Sequence, residues 1–354
     1  MKKIVSVLCC VLALTCLWAG GTKESKTVEV PTTRVFTDSL GRQVEIPSTI
    51  TGIAPSGNLA QLVLYGISSD LFVSVAYPWP DTALSFLTPP DVPVTGQFYG
   101  KGVLNLEALA VANPDIIIDI GEKKAGIESD LDKVQNQLGI PVIFIEASLG
   151  QMDSCYQMIG DLLGREKEAL ELADYCKNIY TTITEKMKII SAENRKAKVL
   201  YALGKESTNV LAKTSYHAEI IDLLCDNVAV IEVPSGSGNG NPSNLEQFYV
   251  WNPDYIIFEP AGAYGTVATD TRWTHLSAIT KGSYVEAPAK PYNWLGNPPS
   301  INRFMGLIWL AELFYPEDFN FNLYSEAEKN YRLFYGVNLS KQQFDTLMEN
   351  GYFK

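Results

Sequence analysis

Short β-branched runs alternate with amphipathic segments along most of the chain. In the first half the strand-like run Ile50–Ala54 precedes a helical segment at Leu59–Tyr65, and in the second half Val199–Leu203 precedes Ala218–Leu224. This alternation predicts an α/β fold in which mostly parallel sheets lie between layers of helices. The further predicted strands are Phe72–Ala76 and Val142–Ile145, and the further predicted helices are Ser129–Leu138 and Ile301–Phe314.

One helix-turn-strand unit occurs twice. Asn105–Ile118 and Asn244–Ile257 each read Asn-Leu-Glu and then, after the same gap, Asn-Pro-Asp and an apolar run. Asn caps helix starts, Pro-Asp ends a helix in a turn, and the apolar run is typical of a buried parallel strand. The repeat therefore predicts two similar α/β lobes.

The two halves are separated by a segment without Gly or Pro, Arg165–Ala192. Its apolar residues recur at helical spacing, which predicts one long helix that permits only small rocking between the lobes. The predicted domains are an N-terminal lobe at 34–164, a linking helix at 165–195, and a C-terminal lobe with terminal helices at 196–354. The pattern leaves open whether the tail, Ser325–Lys354, packs on the first or the second lobe.

The N-terminus has the pattern of an export signal. Two lysines precede the apolar run Ile4–Leu17, which is too short to span a bilayer comfortably. We expect a signal at residues 1–20, a solvated tether at 21–33, and a periplasmic or other extracytoplasmic location. Cys16 is a candidate lipid attachment site, and peptidase cleavage near Ala19 is the alternative.

Charge and motifs argue against several functions. The 354 residues carry a formal net charge of −12, which disfavours nucleic acid or an anionic membrane surface as the main partner. We find no G-x-S-x-G nucleophile elbow, no G-x-G-x-x-G that opens a helix, no phosphate-binding P-loop and no H-E-x-x-H zinc motif. We therefore expect a binding protein without a cofactor rather than an enzyme.

Residues that bind bare metal ions are scarce. The chain has only two histidines, and Cys155, Cys176 and Cys225 are far apart and lack C-x-x-C spacing. We expect these cysteines to be small buried residues. A chelate, a tetrapyrrole or a metal oxyanion is therefore a better cargo than a bare transition ion.

Two further segments carry a family resemblance. Asp38–Pro47 reads Asp-x-x-Gly-Arg-x-Val-x-Ile-Pro, and Trp294–Arg303 opens a pattern that runs on to Tyr315 and Pro316. With the paired units and the linking helix, these segments resemble the helix-linked (class III) periplasmic solute-binding proteins of ABC importers. The resemblance implies capture of an iron complex, siderophore or haem-like, or of a related metal-containing solute. A molybdate, tungstate or cobalamin receptor of the same fold is the alternative.

The resemblance also implies a partner. In this family one Glu on each lobe pairs with arginines of the permease, and the matching residues are Glu107 and Glu246. A carboxylate offers a bidentate acceptor to a guanidinium, although each Glu could instead only favour its helix through the macrodipole. The expected partner is an ABC permease dimer with a cytoplasmic ATPase, served by a monomeric receptor whose membrane association is through a lipid anchor or the permease.

The ligand site is expected in loops that follow strands, because ligands of open α/β sheets bind outside the carboxyl ends of the strands. The candidate ligand-binding residues are Asn58, Tyr77, Trp79, Tyr99, Tyr201, His217, Arg272, Trp294 and Arg303. We expect five of them to converge in one cleft between the lobes, namely Tyr99, Tyr201, His217, Trp294 and Arg303.

The sequence allows more than one role for three of these residues. His217 could cap a helix, approach an anion or ligate a metal, and Arg272 and Arg303 could bind an anionic cargo or form surface ion pairs. The Gly-rich segment Gly236–Gly240 is interpreted as a flexible loop. A cell-surface adhesion module is the alternative from a different functional class, and it predicts indifference to small molecules.

Overall fold

The computed structural model describes residues 32–98 and 104–353. The predicted export signal, Cys16 and Tyr99 lie outside these residues. A hairpin opens the described chain, in which β1 (Thr33–Thr37) pairs antiparallel with β2 (Gln43–Pro47). Its turn is fastened to the first sheet because Arg42 donates to Asp38 at 2.7 Å and to the carbonyl of Val142 at 2.8 Å.

The first sheet has three parallel strands in the order β3 (Ile53–Pro55), β4 (Ile116–Gly121) and β5 (Val142–Glu146). The predicted strand at Phe72–Ala76 is formed only as isolated parallel bridges. The reason is local, because the buried side chain of Gln61 accepts from the amides of Ala76 and Tyr77 at 3.0 Å, so these amides do not join a neighbouring strand.

The second sheet is mixed and has six strands, β6 (Lys198–Leu203), β7 (Asn209–Val210), β8 (Asp226–Asn227), β9 (Asn241–Pro242), β10 (Tyr255–Phe258) and β11 (Tyr284–Glu286). Their order is β11–β10–β6–β7–β9, and β8 also pairs with β6. The pairs β11–β10, β10–β6 and β6–β8 are parallel, whereas β7 is antiparallel to both of its neighbours.

Helices cover both sheets, as an α/β fold requires. They are α1 (Asn58–Ser68), α2 (Asp81–Leu84), α3 (Leu106–Ala112), α4 (Ile127–Leu138), α5 (Met152–Leu163), α6 (Glu166–Ala192), α7 (Glu219–Leu224), α8 (Leu245–Trp251), α9 (Ser277–Thr280), α10 (Arg303–Phe314), α11 (Pro316–Phe319), α12 (Leu323–Tyr335) and α13 (Lys341–Leu347).

The predicted linking helix is α6, an uninterrupted helix of 27 residues between the two sheets along the chain. It packs against α5 and α10. Residues 33–354 form one compact unit, so the proposed domain boundaries at residues 164 and 196 stay predictions.

The C-terminal tail contacts elements of both halves. Helix α12 lies against α1, where a Cβ added to Gly66 would be 3.0 Å from the carbonyl oxygen of Phe334. The chain then returns to the second sheet, since Glu286 donates its amide to Asn350 at 2.9 Å and the Trp309 indole donates to Gly351 at 2.8 Å. The question that the sequence left open is therefore answered by contacts on both sides.

Helix α10 is buried from Arg303 through Ala311, and this buried part is apolar all round after its first residue. A helix of this kind belongs in a core rather than on a surface. Its closest approach is at Gly306, where an added Cβ would be 2.1 Å from the carbonyl oxygen of Trp294. Glycine therefore lets α10 press against the segment that precedes it.

We expect Gly306→Ala to lower the free energy of unfolding by about 1–3 kcal/mol, because a methyl group at this contact overpacks the core. Gly265→Ala is the matched control, since nothing lies within 4 Å of an added Cβ there. Urea denaturation monitored by circular dichroism gives both values. Equal midpoints for the two variants would contradict the packing argument.

Candidate ligand-binding site

A cleft of about 610 Å³ lies where the carboxyl ends of β3 and β4 face loops of the second half. A second cavity of about 290 Å³ adjoins it and shares Asn58, Tyr77, Asn297 and Pro298. Cavities of this size suit small molecules. The polar side chains that line the larger cavity include Ser56, Asn58, Gln97, Asp119, Lys124, His217, Ser237, Asn239 and Asn297.

The start of helix α1 opens onto the cleft. Gly57 is its N-cap residue, with no side-chain cap, and Gly57, Asn58, Leu59 and Ala60 all line the cavity. The first amides of a helix have no partner within the helix, and the macrodipole is positive at this end. This part of the cleft therefore favours an anionic group on the ligand.

Asp119 supplies a carboxyl group at the cleft wall. It lies on β4, is almost fully buried, and accepts a hydrogen bond from the hydroxyl of Ser56. Burial raises the pKa of Asp119 to about 6, although the Ser56 hydrogen bond and the charge of Lys124 act in the opposite direction. The group therefore changes charge close to neutral pH.

His217 approaches the cleft from the other half. It lies in the helical turn Tyr216–Ala218 just before α7, and its Nδ1 atom is buried without a hydrogen-bond partner. Burial lowers the pKa of His217, although backbone groups of Gly296 and Gly236 near the ring act in the opposite direction, so the neutral imidazole predominates at neutral pH. A neutral ring with an unpartnered nitrogen can accept a hydrogen bond or ligate a metal centre of the cargo.

Arg303 lies behind this wall rather than in it. Its side chain is fully buried, donates to Glu219 at 2.7 Å, and lies over the ring of Tyr216 at 5.1 Å. Tyr216 in turn donates its hydroxyl to the carbonyl of Ala147 at 2.7 Å, beyond the end of β5. Arg303 therefore supports the turn that carries His217 and does not line the cavity.

Some of the remaining predicted residues line the cleft, and others are buried in the core. Asn58 and Tyr77 line the cleft, and the Tyr77 side chain is 47% exposed. Tyr201 and Trp294 are buried in the core, where Tyr201 accepts from Asn293 at 2.9 Å, so neither presents an aromatic wall to a ligand. Of the five residues expected to converge, His217 alone among the described ones lines the cavity.

Two further predicted positions lie elsewhere. Trp79 packs edge-on against Tyr65 with ring centroids 5.1 Å apart and does not line either part of the cleft. Arg272 is exposed and paired with Asp270 at 2.6 Å, away from the cavity. A loop can fold a large side chain inward, as at Trp79, or pair it at the surface, as at Arg272. A position in a loop after a strand is therefore not enough to place an aromatic or basic residue in the cleft.

Several cleft residues were missed by sequence reasoning. Asp119 interrupts the apolar run of β4, and a charged residue in a buried strand is a signal that was available. The segment Gly236–Gly240, interpreted from the sequence as a flexible loop, contributes Gly236 to Asn239 to the cavity wall. Asn297 stands within the C-terminal motif but gave no separate signal.

The repeated units form matching helices. In α3 and α8 the Asn105 and Asn244 side chains accept from the amide three residues on, at 3.0 and 2.9 Å. Each helix ends at an asparagine with left-handed backbone. Glu107 and Glu246 occupy equivalent exposed positions, and neither forms an ion pair with any residue that the structure describes.

Two sheets joined by one long helix, with a polar cleft at the strand ends, define a helix-linked solute-binding protein. The model of the family described as "Periplasmic binding protein" matches residues 76–291, and the chain belongs to this family. Members bind solutes for ABC importers, which implies an extracytoplasmic location. No helix in the described part of the chain is long and apolar enough to cross a membrane.

Solved structures show the same fold. An ABC transporter solute-binding protein from Sulfurospirillum deleyianum is 25% identical over 89% of this chain and 99% of its own, with a TM-score of 0.82. The Haemophilus influenzae protein MolA, bound to molybdate, is 17% identical over 87% and 99%, with a TM-score of 0.67. S. aureus IsdE, complexed with heme, is 21% identical over 75% and 99%, with a TM-score of 0.52. No curated protein matches the sequence.

The raised pKa of Asp119 should make the stability of the folded protein depend on pH. Its folded pKa of about 6 lies above the ordinary 3.8, so between about pH 4 and pH 6 the folded state holds a proton that the unfolded chain has lost. The free energy of unfolding should therefore fall as pH rises through this window, by about 2–3 kcal/mol, and stay lower above it.

Asp119→Asn should remove this fall in the free energy of unfolding, because asparagine does not titrate. Urea denaturation of the ligand-free protein at about pH 4.5, 5.5 and 7 measures the fall in the wild type and in the variant. Asp91→Asn, at an exposed loop position, is the control and should follow the wild type. If the Asp119→Asn and wild-type curves ran parallel, the argument from burial would be wrong.

Proposed function

We propose that this chain captures a small, hydrophilic, metal-containing solute in the cleft and delivers it to an ABC permease. An iron complex of the siderophore type is the first candidate. The observation that carries the proposal is the convergence of an unpartnered imidazole nitrogen at His217, a carboxyl at Asp119 and the amide end of α1 on one cavity. His217 can approach the metal centre of such a complex, the Asp119 carboxyl can bind a cationic or hydrogen-bond-donating edge of it, and the amides of α1 can bind an anionic edge.

The lining disfavours large planar cargo. A haem or cobalamin presents broad apolar faces, which aromatic walls would match. Tyr201 and Trp294 are withdrawn into the core. Of the described aromatic residues that line the larger cavity, Tyr77 is exposed, Tyr216 is partly buried and Phe144 is buried. The wall also carries polar side chains, among them Gln97, Ser237 and Asn297, which can bind a hydrophilic complex, although more of its surface is apolar than polar.

A metal oxyanion such as molybdate or tungstate is the second candidate. The uncapped start of α1 favours it, because oxyanions are bound largely by backbone amides at such positions. MolA, which has the same fold, is bound to molybdate. Among residues 32–98 and 104–353, no three His, Cys, Asp or Glu side chains are grouped so that they could hold a bare metal ion.

Delivery completes the proposed function. Glu107 and Glu246 dock the receptor on a permease dimer with a cytoplasmic ATPase, and each carboxylate receives a cationic side chain of the permease. The receptor acts as a monomer and catalyses nothing. It reaches the extracytoplasmic side through the export signal, either anchored by a lipid on Cys16 or released by peptidase cleavage near Ala19. A surface adhesion module, by contrast, would gain no stability from any small ligand.

A thermal-shift screen tests the cargo. Ferric siderophore complexes should raise the unfolding temperature, because a ligand that binds the folded state stabilises it by mass action, whereas haem and cobalamin should not. Molybdate and tungstate are the second arm. No shift with any of these compounds would overturn the proposed cargo class.

Single substitutions then test the site. With the ferric complex, His217→Ala and Tyr77→Ala should each weaken binding by on the order of 1–3 kcal/mol in calorimetry. With molybdate, Tyr77→Ala should change little. Arg272→Ala is the matched control, since Arg272 is exposed outside the cleft. Wild-type affinity in both cleft variants would contradict this assignment.

Docking is tested by reversing both charges, with Glu107→Lys and Glu246→Lys in one variant. Uptake in whole cells should be abolished because like charges then face the permease, while ligand affinity in solution should stay within about twofold of wild type. Glu317→Lys with Glu326→Lys, at other acidic positions, is the charge-matched control. A parallel loss of solution affinity would show that the carboxylates support the fold or the cleft rather than docking.

A further inference from the structure

The two repeated helices share an exposed apolar residue that the docking carboxylates do not explain. Val111 follows Glu107 by four residues, and Val250 follows Glu246 by four. Their side chains are 86% and 77% exposed, the two highest values among the exposed large apolar residues that the structure describes.

The equivalence extends along both helices. From Asn105 to Pro114 and from Asn244 to Pro253, the pattern of buried, intermediate and exposed residues is the same at every position. Each helix buries one residue, Leu109 or Phe248, on its inner side. The Glu and Val of each helix lie on one face, because residues four apart are neighbours on a helix surface.

Neither valine contributes to its own helix. Valine is a weak helix former, since its branched side chain loses rotamer freedom against the preceding turn. At this exposure neither side chain gains from burial within the monomer. A single exposed valine would be ordinary surface. Here a matched pair of valines lies at the same offset from two carboxylates that have no ion-pair partner among the described residues, which points to a shared role.

We propose that Val111 and Val250 are apolar anchors of the permease interface, each seated in a hollow one helical turn from the cation that receives its Glu. The inference rests on the proposed function and extends it. The occupant is the outer face of the ABC permease. Two equivalent acidic and apolar patches on one chain match a partner that presents two equivalent basic and apolar sites, as a permease dimer does.

The test uses the full-length receptor and the source organism's ABC permease–ATPase complex in nanodiscs, with affinity measured by biolayer interferometry. Val111→Ser and Val250→Ser should each weaken binding about tenfold, which is about 1.4 kcal/mol, and the double variant about a hundredfold. Serine and valine have similar helix propensities, so unfolding temperatures should not change. Ile189→Ser, at an exposed apolar position of α6, is the matched control and should bind like wild type.

Salt separates the two contributions. In about 1 M salt exposed charges are screened within roughly 3 Å, so the loss caused by Glu107→Gln or Glu246→Gln should shrink, while the loss caused by the serine variants should persist. Serine variants that bind like wild type while the glutamine variants weaken would overturn the anchors and leave the proposed docking intact.

Two other outcomes are distinct. If neither the serine nor the glutamine variants lost affinity, the docking role in the proposed function would fail together with the anchors. If sedimentation showed a wild-type dimer that Val111→Ser and Val250→Ser dissociate, a second copy of this chain would be the occupant and the proposal would be wrong.

Discussion

The structure depends on the burial of helix α10. From Phe304 to Ala311 the helix is apolar around its whole circumference, and it contacts α6, α7 and α12, which come from distant parts of the chain. Gly306 also permits a close approach of α10 to the carbonyl of Trp294, in the segment that precedes the helix. Because α10 is fixed on all sides, the segment that leads into it is fixed as well, and that segment forms one wall of the cleft.

That wall is held by polar contacts within the core. The Asn302 side chain donates to the carbonyl of Pro298 at 3.0 Å and also to that of Asn293. At the first residue of α10, the buried guanidinium of Arg303 is compensated by Glu219 and by the ring of Tyr216. Buried charges need such partners, because their desolvation is costly. The same ion pair therefore gives the charge at the start of α10 a partner and holds the turn that presents His217.

Burial also sets the chemistry of the cleft. It raises the pKa of Asp119 and lowers the pKa of His217, so both groups are shifted toward their uncharged forms. A cargo that brings a metal centre or an anionic edge would replace the water that these groups have lost on folding. The uncapped start of α1 adds a fixed positive potential that does not depend on pH.

The sequence by itself determined the elements and their repetition. The long helix α6 and the paired units around α3 and α8 follow from spacing, caps and turns, which act within a few residues. The resemblance to helix-linked binding proteins rested on these same local patterns and is confirmed by the family match. Asn58, Tyr77 and His217 were predicted because each follows or precedes a predicted element, and all three line the cleft; their contact with ligand stays a prediction.

Only the tertiary structure decided which side chains face the ligand. Tyr201 and Trp294 are buried because α10 and the second sheet enclose them, and Asp119 is at the cavity wall because β4 lies between β3 and β5. The tail likewise contacts both halves through α12 and Gly351. Local patterns report backbone conformation, whereas exposure depends on contacts between residues far apart in the chain, and a single sequence does not contain those contacts in readable form.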